Sequence, residues 1–124
     1  MDVNLSAHVM LENLVTKASN VLSLLNLVKK AGVNPDDIDY VVDCCEEACG
    51  DINQRGGGNF AKAAAEVAGF VNATGSDVRG FCAGPAHAML HEAALVKAGT
   101  FKNVVVKAGG CNATLGMNGQ DHVK

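Results

Sequence analysis

The sequence predicts an α/β fold in which mainly parallel strands alternate with helices. Three short segments that can run extended alternate with three segments whose apolar residues recur at helical spacing. Residues 38–42 are apolar almost without alternation, which is typical of a parallel strand buried on both faces. The order α-β-α-β-α-β and the length of 124 residues fit one domain, spanning residues 1–124.

The first helix is predicted over residues 5–31, with Asn4 or Ser6 as its cap and Gly32 at its end. Leu24 and Leu27 widen its apolar face beyond a single stripe, so we expect it to be covered on more than one side. The stripe comprises Leu11, Leu14, Val15, Ala18, Val21, Leu22, Leu25 and Val28.

The later elements follow from turn residues and hydrophobic pattern. Asn59 is expected to cap the second helix, Pro85 to lie in the first turn of the third, and Gly99 to end the third. The predicted elements are a strand at 38–42, a helix at 60–69, a turn at 72–75, a strand at 76–81, a helix at 83–98, a strand at 104–108 and a loop-like tail at 109–124.

Composition narrows the classes of function. The net charge is −3 and the basic residues are scattered, so we expect no nucleic-acid partner. No signal peptide or membrane-spanning run is visible, which predicts no membrane association. Five cysteines, an odd number, in a chain without secretory features favour reduced thiols and a cytoplasmic location.

Cys82 is the candidate catalytic residue, because it lies where a predicted strand turns into the start of a helix. The N–H groups and dipole at a helix start favour a thiolate and could hold an oxyanion during acyl transfer. His87 is the candidate local base, since helical side chains lean toward the N-terminus. The alternative is a buried structural cysteine.

Two other groups of residues invite a metal interpretation, but neither has the required spacing. His87 and His91 are one turn apart and lack a local third ligand, and the cysteines at 44, 45 and 49 do not form a CxxC pair. We therefore predict no metal site. On residues alone, Cys44, Cys45 and Cys49 are small buried side chains at a strand end, and Glu47 belongs to a solvated charge pair.

A glycine-rich stretch precedes the second helix. Arg55, Gly56, Gly57, Gly58 and Asn59 could cradle a phosphate or carboxylate at the start of this helix. The stretch lacks the Lys-Ser/Thr of a P-loop and the GxGxxG spacing, so a flexible loop is the alternative.

Two blocks of sequence resemble thiolase-like enzymes, above all ketoacyl-ACP synthase III. Residues 77–84 and 98–106 resemble the nucleophile segment of that superfamily, and residues 31–42 resemble its helix-to-strand junction. Residues 46–59 and 115–124 more closely resemble the β subunits of glycine reductase component C.

This resemblance implies that Cys82 forms an acyl thioester during production of acetyl phosphate, without a cofactor. It also implies two partners, a second subunit similar to phosphate acyltransferases and a selenoprotein that carries a carboxymethyl selenoether. It places the loop with Glu47 and Cys49 near the acyl site and a subunit contact.

The chain also departs from the thiolase-like pattern. Such enzymes pair the cysteine with His and Asn, or two His, from the second half of the fold, and their first strand precedes the long helix. We therefore expect this sequence to be an N-terminal piece that is inactive alone. The helix after Cys82 should be uncovered on one side and should associate, most simply as a homodimer.

Two alternative functions remain from the sequence. One is a condensing enzyme of the synthase III kind that uses acyl-CoA. The other is a non-catalytic subunit that only holds a partner carrying the reactive thiol.

Overall fold

Three helices and three strands alternate along residues 5–45 and 59–111, which are the residues that the computed structural model describes. The elements are α1 Ala7–Ala31, β1 Tyr40–Asp43, α2 Phe60–Val67, β2 Thr74–Asp77, α3 Gly84–Lys97 and β3 Val104–Lys107, with short 3₁₀ turns at Pro35–Asp37 and Phe81–Ala83. This order confirms the predicted α/β class.

The strands form a parallel sheet in the order β2-β1-β3. Tyr40 of the central strand lies opposite Thr74 and Val104, so the three strands begin level with one another. Their last residues are also level, because Asp43 lies opposite both Asp77 and Lys107. The carboxyl ends of the strands therefore meet at one edge, where parallel sheets usually bind ligands.

Helices cover both faces of this sheet. Val41 and Val105 point to the face covered by α1 and α2, where they join Leu24, Phe70 and the alanines of α2 in the main core. Val42 points to the opposite face, where it packs with Cys44 and with Ala88 of α3. The alternation of side chains along a strand thus separates residues that face α1 from residues that face α3.

The buried stripe of α1 differs from the predicted one. Val9, Thr16, Asn20 and Leu24 are buried, whereas the predicted apolar positions Leu11, Leu14, Val15, Leu22 and Leu25 are exposed among the described residues. The expectation that α1 is covered on more than one side is therefore wrong for this part of the chain. The side of α1 that faces the sheet is instead partly polar, because Asn20 hydrogen-bonds with side chains at the edge of the sheet.

Strand β2 begins and ends earlier than predicted. Residues 72–75 were expected to form a turn, yet Thr74 and Gly75 belong to the strand, which ends at Asp77 and not at Phe81. Gly75 fits because it has no side chain: a Cβ there would clash with the Val41 carbonyl and lie 3.1 Å from Cβ of Ala61. Close packing, and not turn geometry, explains this glycine.

Replacing Gly75 with Ala should destabilise the protein by about 3 kcal/mol or more, since the clash is with backbone that cannot move aside cheaply. Urea unfolding measures this loss. Gly99→Ala is the matched control: Gly99 has φ 74° and open space around it, so Ala should cost only the left-handed conformation, about 1–2 kcal/mol. Equal losses in the two variants would show that packing does not require Gly75.

Candidate active site at the carboxyl edge of the sheet

Cys82 lies on the connection between β2 and α3, residues 78–83, which we call the Cys82 turn. The 3₁₀ turn Phe81–Ala83 runs directly into α3, whose first turn contains Pro85 as predicted. Cys82 is exposed, so it is not the buried structural cysteine of the alternative interpretation. Its position at a strand-to-helix connection is as predicted, and its role as a nucleophile remains a prediction.

The amide groups next to Cys82 have carbonyl partners within the turn. The N–H of Ala83 donates to the carbonyl of Gly80 at 3.0 Å, and the N–H of Gly84 donates to the carbonyl of Phe81. Pro85 has no N–H. An oxyanion at this helix start would therefore compete with these carbonyls or use other donors.

Phe81, immediately before Cys82, has an unusual backbone conformation. Its φ is 47°, and it is the single non-glycine residue with positive φ within the described ranges. A bulky side chain rarely adopts this region, and residues held there cluster at functional sites. The Phe81 side chain is 69% exposed, so its burial does little to offset the cost of this backbone conformation. This strain marks the Cys82 turn as a candidate site.

A network of charged groups lies at the same sheet edge, centred on the fully buried Asp43. Lys107 Nζ lies 3.2 Å from Asp43 Oδ1, and Arg79 Nη1 lies 3.1 Å from Asp43 Oδ2. The thiol of Cys45 donates to Asp43 Oδ1 at 2.8 Å. The carboxylate of Asp43 is thus bound by two cations and one thiol.

Arg79 extends the network to β2 and α2. Its Nη2 lies 3.2 Å from Asp77 Oδ2, and Asp77 accepts the N–H groups of Phe60 and Ala61 at 3.0 and 2.9 Å. The guanidinium also lies over the Phe60 ring, 5.7 Å from its centroid. Two carboxylates and two cations therefore balance in charge, and the Asp77 carboxylate binds the positive end of the α2 dipole.

Asn20 explains why α1 buries polar residues. Its amide Nδ2 donates to Cys45 Sγ at 2.9 Å and to the Thr16 carbonyl at 3.1 Å, and its Oδ1 accepts from Lys107 Nζ at 2.8 Å. Burial, followed by the charge of Asp43, raises the pKa of Cys45 to about 12. Cys45 is therefore a thiol at neutral pH and acts as a hydrogen-bond donor within the network.

Asn59 is the described member of the predicted anion loop, and it caps α2 as expected. Its Oδ1 accepts the N–H of Lys62 at 2.8 Å, and its Nδ2 donates to the Gly75 carbonyl at 2.6 Å. The next two N–H groups are held by Asp77, so an anion at this helix start would have to displace a carboxylate. Glu47, Cys49, Arg55, Gly56, Gly57 and Gly58 lie outside the described residues.

His87 is exposed, and its ring meets the ring of His91 edge-on with centroids 6.4 Å apart. Its role as a base for Cys82 remains a prediction. Within residues 5–45 and 59–111, no three His, Cys, Asp or Glu side chains are grouped to hold a metal ion. Among the same residues, no helix is both long and apolar enough to cross a bilayer.

Helix α3 has an exposed apolar side and a buried acid. Met89 and Leu90 are exposed, which confirms that one side of this helix is uncovered in the described structure. On its sheet-facing side, one turn after Ala88, Glu92 is buried, and its Oε2 has no hydrogen-bond partner within the described part of the chain. Burial raises the pKa of Glu92, and the neighbouring His91 opposes this effect only partly.

The charged network was missed at the sequence level, although the sequence carries a signal for it. Each strand ends on a charged residue after uncharged ones: Asp43, Asp77 and Lys107. Because carboxyl ends of parallel strands meet at one edge, these three charges could have been placed together.

Comparisons with known proteins agree with this fold. The chain is 67% identical over all 124 of its residues to the glycine/sarcosine/betaine reductase complex component C subunit beta of Peptoclostridium acidaminophilum. A priming β-ketosynthase of the R1128 polyketide pathway matches 76% of the chain at 28% identity, with a TM-score of 0.63. The acetyl-CoA acetyltransferase of Bacillus anthracis matches 79% at 27% identity, with a TM-score of 0.61.

The chain spans about a quarter of each of these proteins: 24% of the curated relative, 27% of the ketosynthase and 24% of the acetyltransferase. No protein-family model matches it. The resemblance to glycine reductase component C β subunits and the partial thiolase-like fold, both predicted from sequence, are confirmed.

Replacing Lys107 with Met should destabilise the protein by about 3 kcal/mol, because the buried Asp43 would keep only one of its two cations. Urea unfolding at pH 7 measures the loss. The control is Lys102→Met, which removes an exposed cation two residues before the same strand and should change stability by about 0.5 kcal/mol or less. A loss below about 1 kcal/mol for Lys107→Met would contradict the importance of this ion pair.

Replacing Glu92 with Gln should stabilise the protein at neutral pH but not in acid. Because the folded-state pKa is raised, the folded state holds this proton more tightly than the unfolded state. Wild-type stability therefore falls as pH rises from the ordinary glutamate pKa of about 4.3 through the folded-state value. Unfolding measured from pH 4 to pH 8 should show Gln gaining on wild type across that window. A difference that does not vary with pH would contradict this account.

Proposed function

We propose that the protein containing this chain is an acyltransferase in which Cys82 carries the acyl group as a thioester. The observation that carries the proposal is an exposed cysteine on a strained strand-to-helix turn. The fold of this chain is shared with a β-ketosynthase and an acetyl-CoA acetyltransferase, two proteins whose names state acyl chemistry.

The reaction needs one nucleophile and two acyl-transfer steps. The Cys82 thiolate attacks the carbonyl carbon of an acyl donor, a C–S bond forms, and the donor's leaving group departs with its electron pair. An acceptor then attacks the thioester carbonyl and releases Cys82 as thiolate. Cys44 and Cys45 are poor competitors, because both are buried and burial raises the pKa of each.

In its finer form, the proposal is that the acyl group is acetyl and the acceptor is inorganic phosphate, so that the product is acetyl phosphate. The identity of 67% to a component C β subunit over the whole chain supports a role in such a reductase complex. We propose as partners a phosphate-acyltransferase-like subunit, a selenoprotein, and a second copy of this chain. The exposed Phe81, Met89 and Leu90 offer apolar surface for such contacts.

The chain alone is proposed to be inactive and cytoplasmic. Thiolase-like enzymes complete the site with His and Asn from the second half of their fold. Among the described residues, His87 lies in α3, which begins two residues after Cys82, but activity should require the remainder of a full-length protein.

A condensing enzyme is the second candidate, favoured by the structural match to a β-ketosynthase. It differs from the first in its acyl donor, which would be acyl-CoA. A non-catalytic assembly subunit is the third, and it predicts that Cys82 is dispensable.

Radiolabelled acetyl phosphate, added to the full-length protein with its partner subunit, should label Cys82 as an acetyl thioester. Peptide mapping should locate the label, and hydroxylamine should remove it because thioesters are cleaved by this nucleophile. Cys82→Ala should abolish labelling, while Cys111→Ala, which replaces another described thiol, should leave it unchanged.

Labelling by acetyl-CoA and not by acetyl phosphate would instead identify the condensing enzyme. Full activity of the Cys82→Ala complex would identify the assembly subunit and reject the thioester at this residue.

A further inference from the structure

Arg79 ties the Cys82 turn to three acceptors at the sheet edge. It lies three residues before Cys82, and its guanidinium binds Asp43 at the end of β1 and Asp77 at the end of β2. Its Nη1 also donates to the carbonyl of Cys45 at 3.3 Å, on the chain that leaves β1. A planar guanidinium can hold several acceptors in fixed directions, which a lysine ammonium cannot.

The backbone of the Cys82 turn is strained just after this anchor. The N–H of Val78 donates to the Asp43 carbonyl at 2.8 Å and continues the sheet by one residue. After Arg79, the backbone passes through Gly80, with φ −176° and ψ 28°, to Phe81 with φ 47°. Then α3 begins at buried Gly84, and Ala88, one turn later, packs α3 against Val42 and Cys44.

The turn is therefore fixed at both ends, at Arg79 and at Gly84. A bulky residue adopts a left-handed conformation only where its surroundings impose it. The 69% exposed side chain of Phe81 is poorly placed to impose anything. The constraint comes from the hydrogen bonds within the turn and from its two ends, and Arg79 is the end held by a side chain.

We infer that Arg79 is a positioning residue: its three-way anchor imposes the strained backbone at Phe81 and thereby sets the direction of the Cys82 thiol. That Arg79 matters for catalysis rests on the proposed function, whereas its effect on the backbone of the turn does not. Arg79 touches neither substrate nor reacting atoms in this role and acts through the turn.

Glycine and alanine at position 81 report the conformation of the turn. In the wild-type background, Phe81→Gly should have a folding equilibrium constant about fivefold above that of Phe81→Ala, because Gly adopts positive φ without penalty. In an Arg79→Met background the turn can relax to negative φ. The order should then reverse, with Gly about threefold below Ala, as at an ordinary position. Urea unfolding of the full-length protein measures all four variants.

The second readout is the alkylation rate of Cys82 by iodoacetamide, followed by peptide mapping from pH 6 to pH 9. Arg79→Met should change the rate about fivefold or more at neutral pH, because a thiol that points in a different direction differs in its exposure to the reagent. Arg79→Lys, which keeps the charge but not the fork, should return the rate only part of the way to that of wild type. The matched control is Lys62→Met. This variant removes a cation on α2 that donates to the Ala73 carbonyl at 2.8 Å, and it should leave the alkylation rate of Cys82 unchanged.

A preference for Gly over Ala that persists in the Arg79→Met background would overturn the inference, as would an alkylation rate that Arg79→Met leaves unchanged. If Arg79→Met fails to fold, Phe81→Gly and Phe81→Ala are compared in an Arg79→Lys background. The preference for Gly over Ala should then be smaller than in the wild-type background. These outcomes do not depend on thioester formation: absence of an acetyl thioester would reject the proposed function and leave the role of Arg79 in the turn standing.

Discussion

The buried carboxylate of Asp43 is the constraint on which the sheet edge depends. A carboxylate with no exposed surface costs several kcal/mol in lost hydration unless close partners compensate. Lys107 from β3, Arg79 from the Cys82 turn and the thiol of Cys45 provide that compensation. The two cations come from segments that are far from Asp43 in sequence, so satisfying one carboxylate fixes how those segments lie relative to one another.

The same requirement accounts for features that otherwise look unrelated. The buried ammonium of Lys107 requires a second acceptor, and Oδ1 of Asn20 provides it. The side of α1 that faces the sheet is therefore polar at this position. Arg79 has donors left after binding Asp43, and these bind Asp77, which in turn holds the first amides of α2. Each added residue satisfies the hydrogen-bonding groups that its neighbour leaves open. The result is a charge-neutral network with fixed geometry, which is the arrangement in which buried ions are least costly.

The order of elements was predictable from sequence, because hydrophobic period, helix caps and a Val-rich central strand all report local structure. The exact extent of β2 was not, since Gly75 is a strand residue for a reason that only appears when Val41 and Ala61 are packed against it. The exposed apolar stripe of α1 was assigned to the core because periodicity shows which residues share a face but not which face meets the sheet. Cys82 was identified from its local position, whereas its anchor Arg79 depends on contacts across strands.

The alternation of side chains along and just after β1 also determines which thiols at this edge are buried. Asp43 and Cys45 point toward α1, and that face excludes water, so the pKa of Cys45 rises to about 12 and its thiolate is scarce at neutral pH. Cys44 points toward α3, where it is buried and donates to the Lys107 carbonyl at 3.2 Å. Cys82 alone of these three is exposed. Of these three thiols, that of Cys82 is therefore the one accessible to an electrophile at this edge, because Cys45 is held within the network that binds Asp43 and Cys44 is buried against the Lys107 carbonyl.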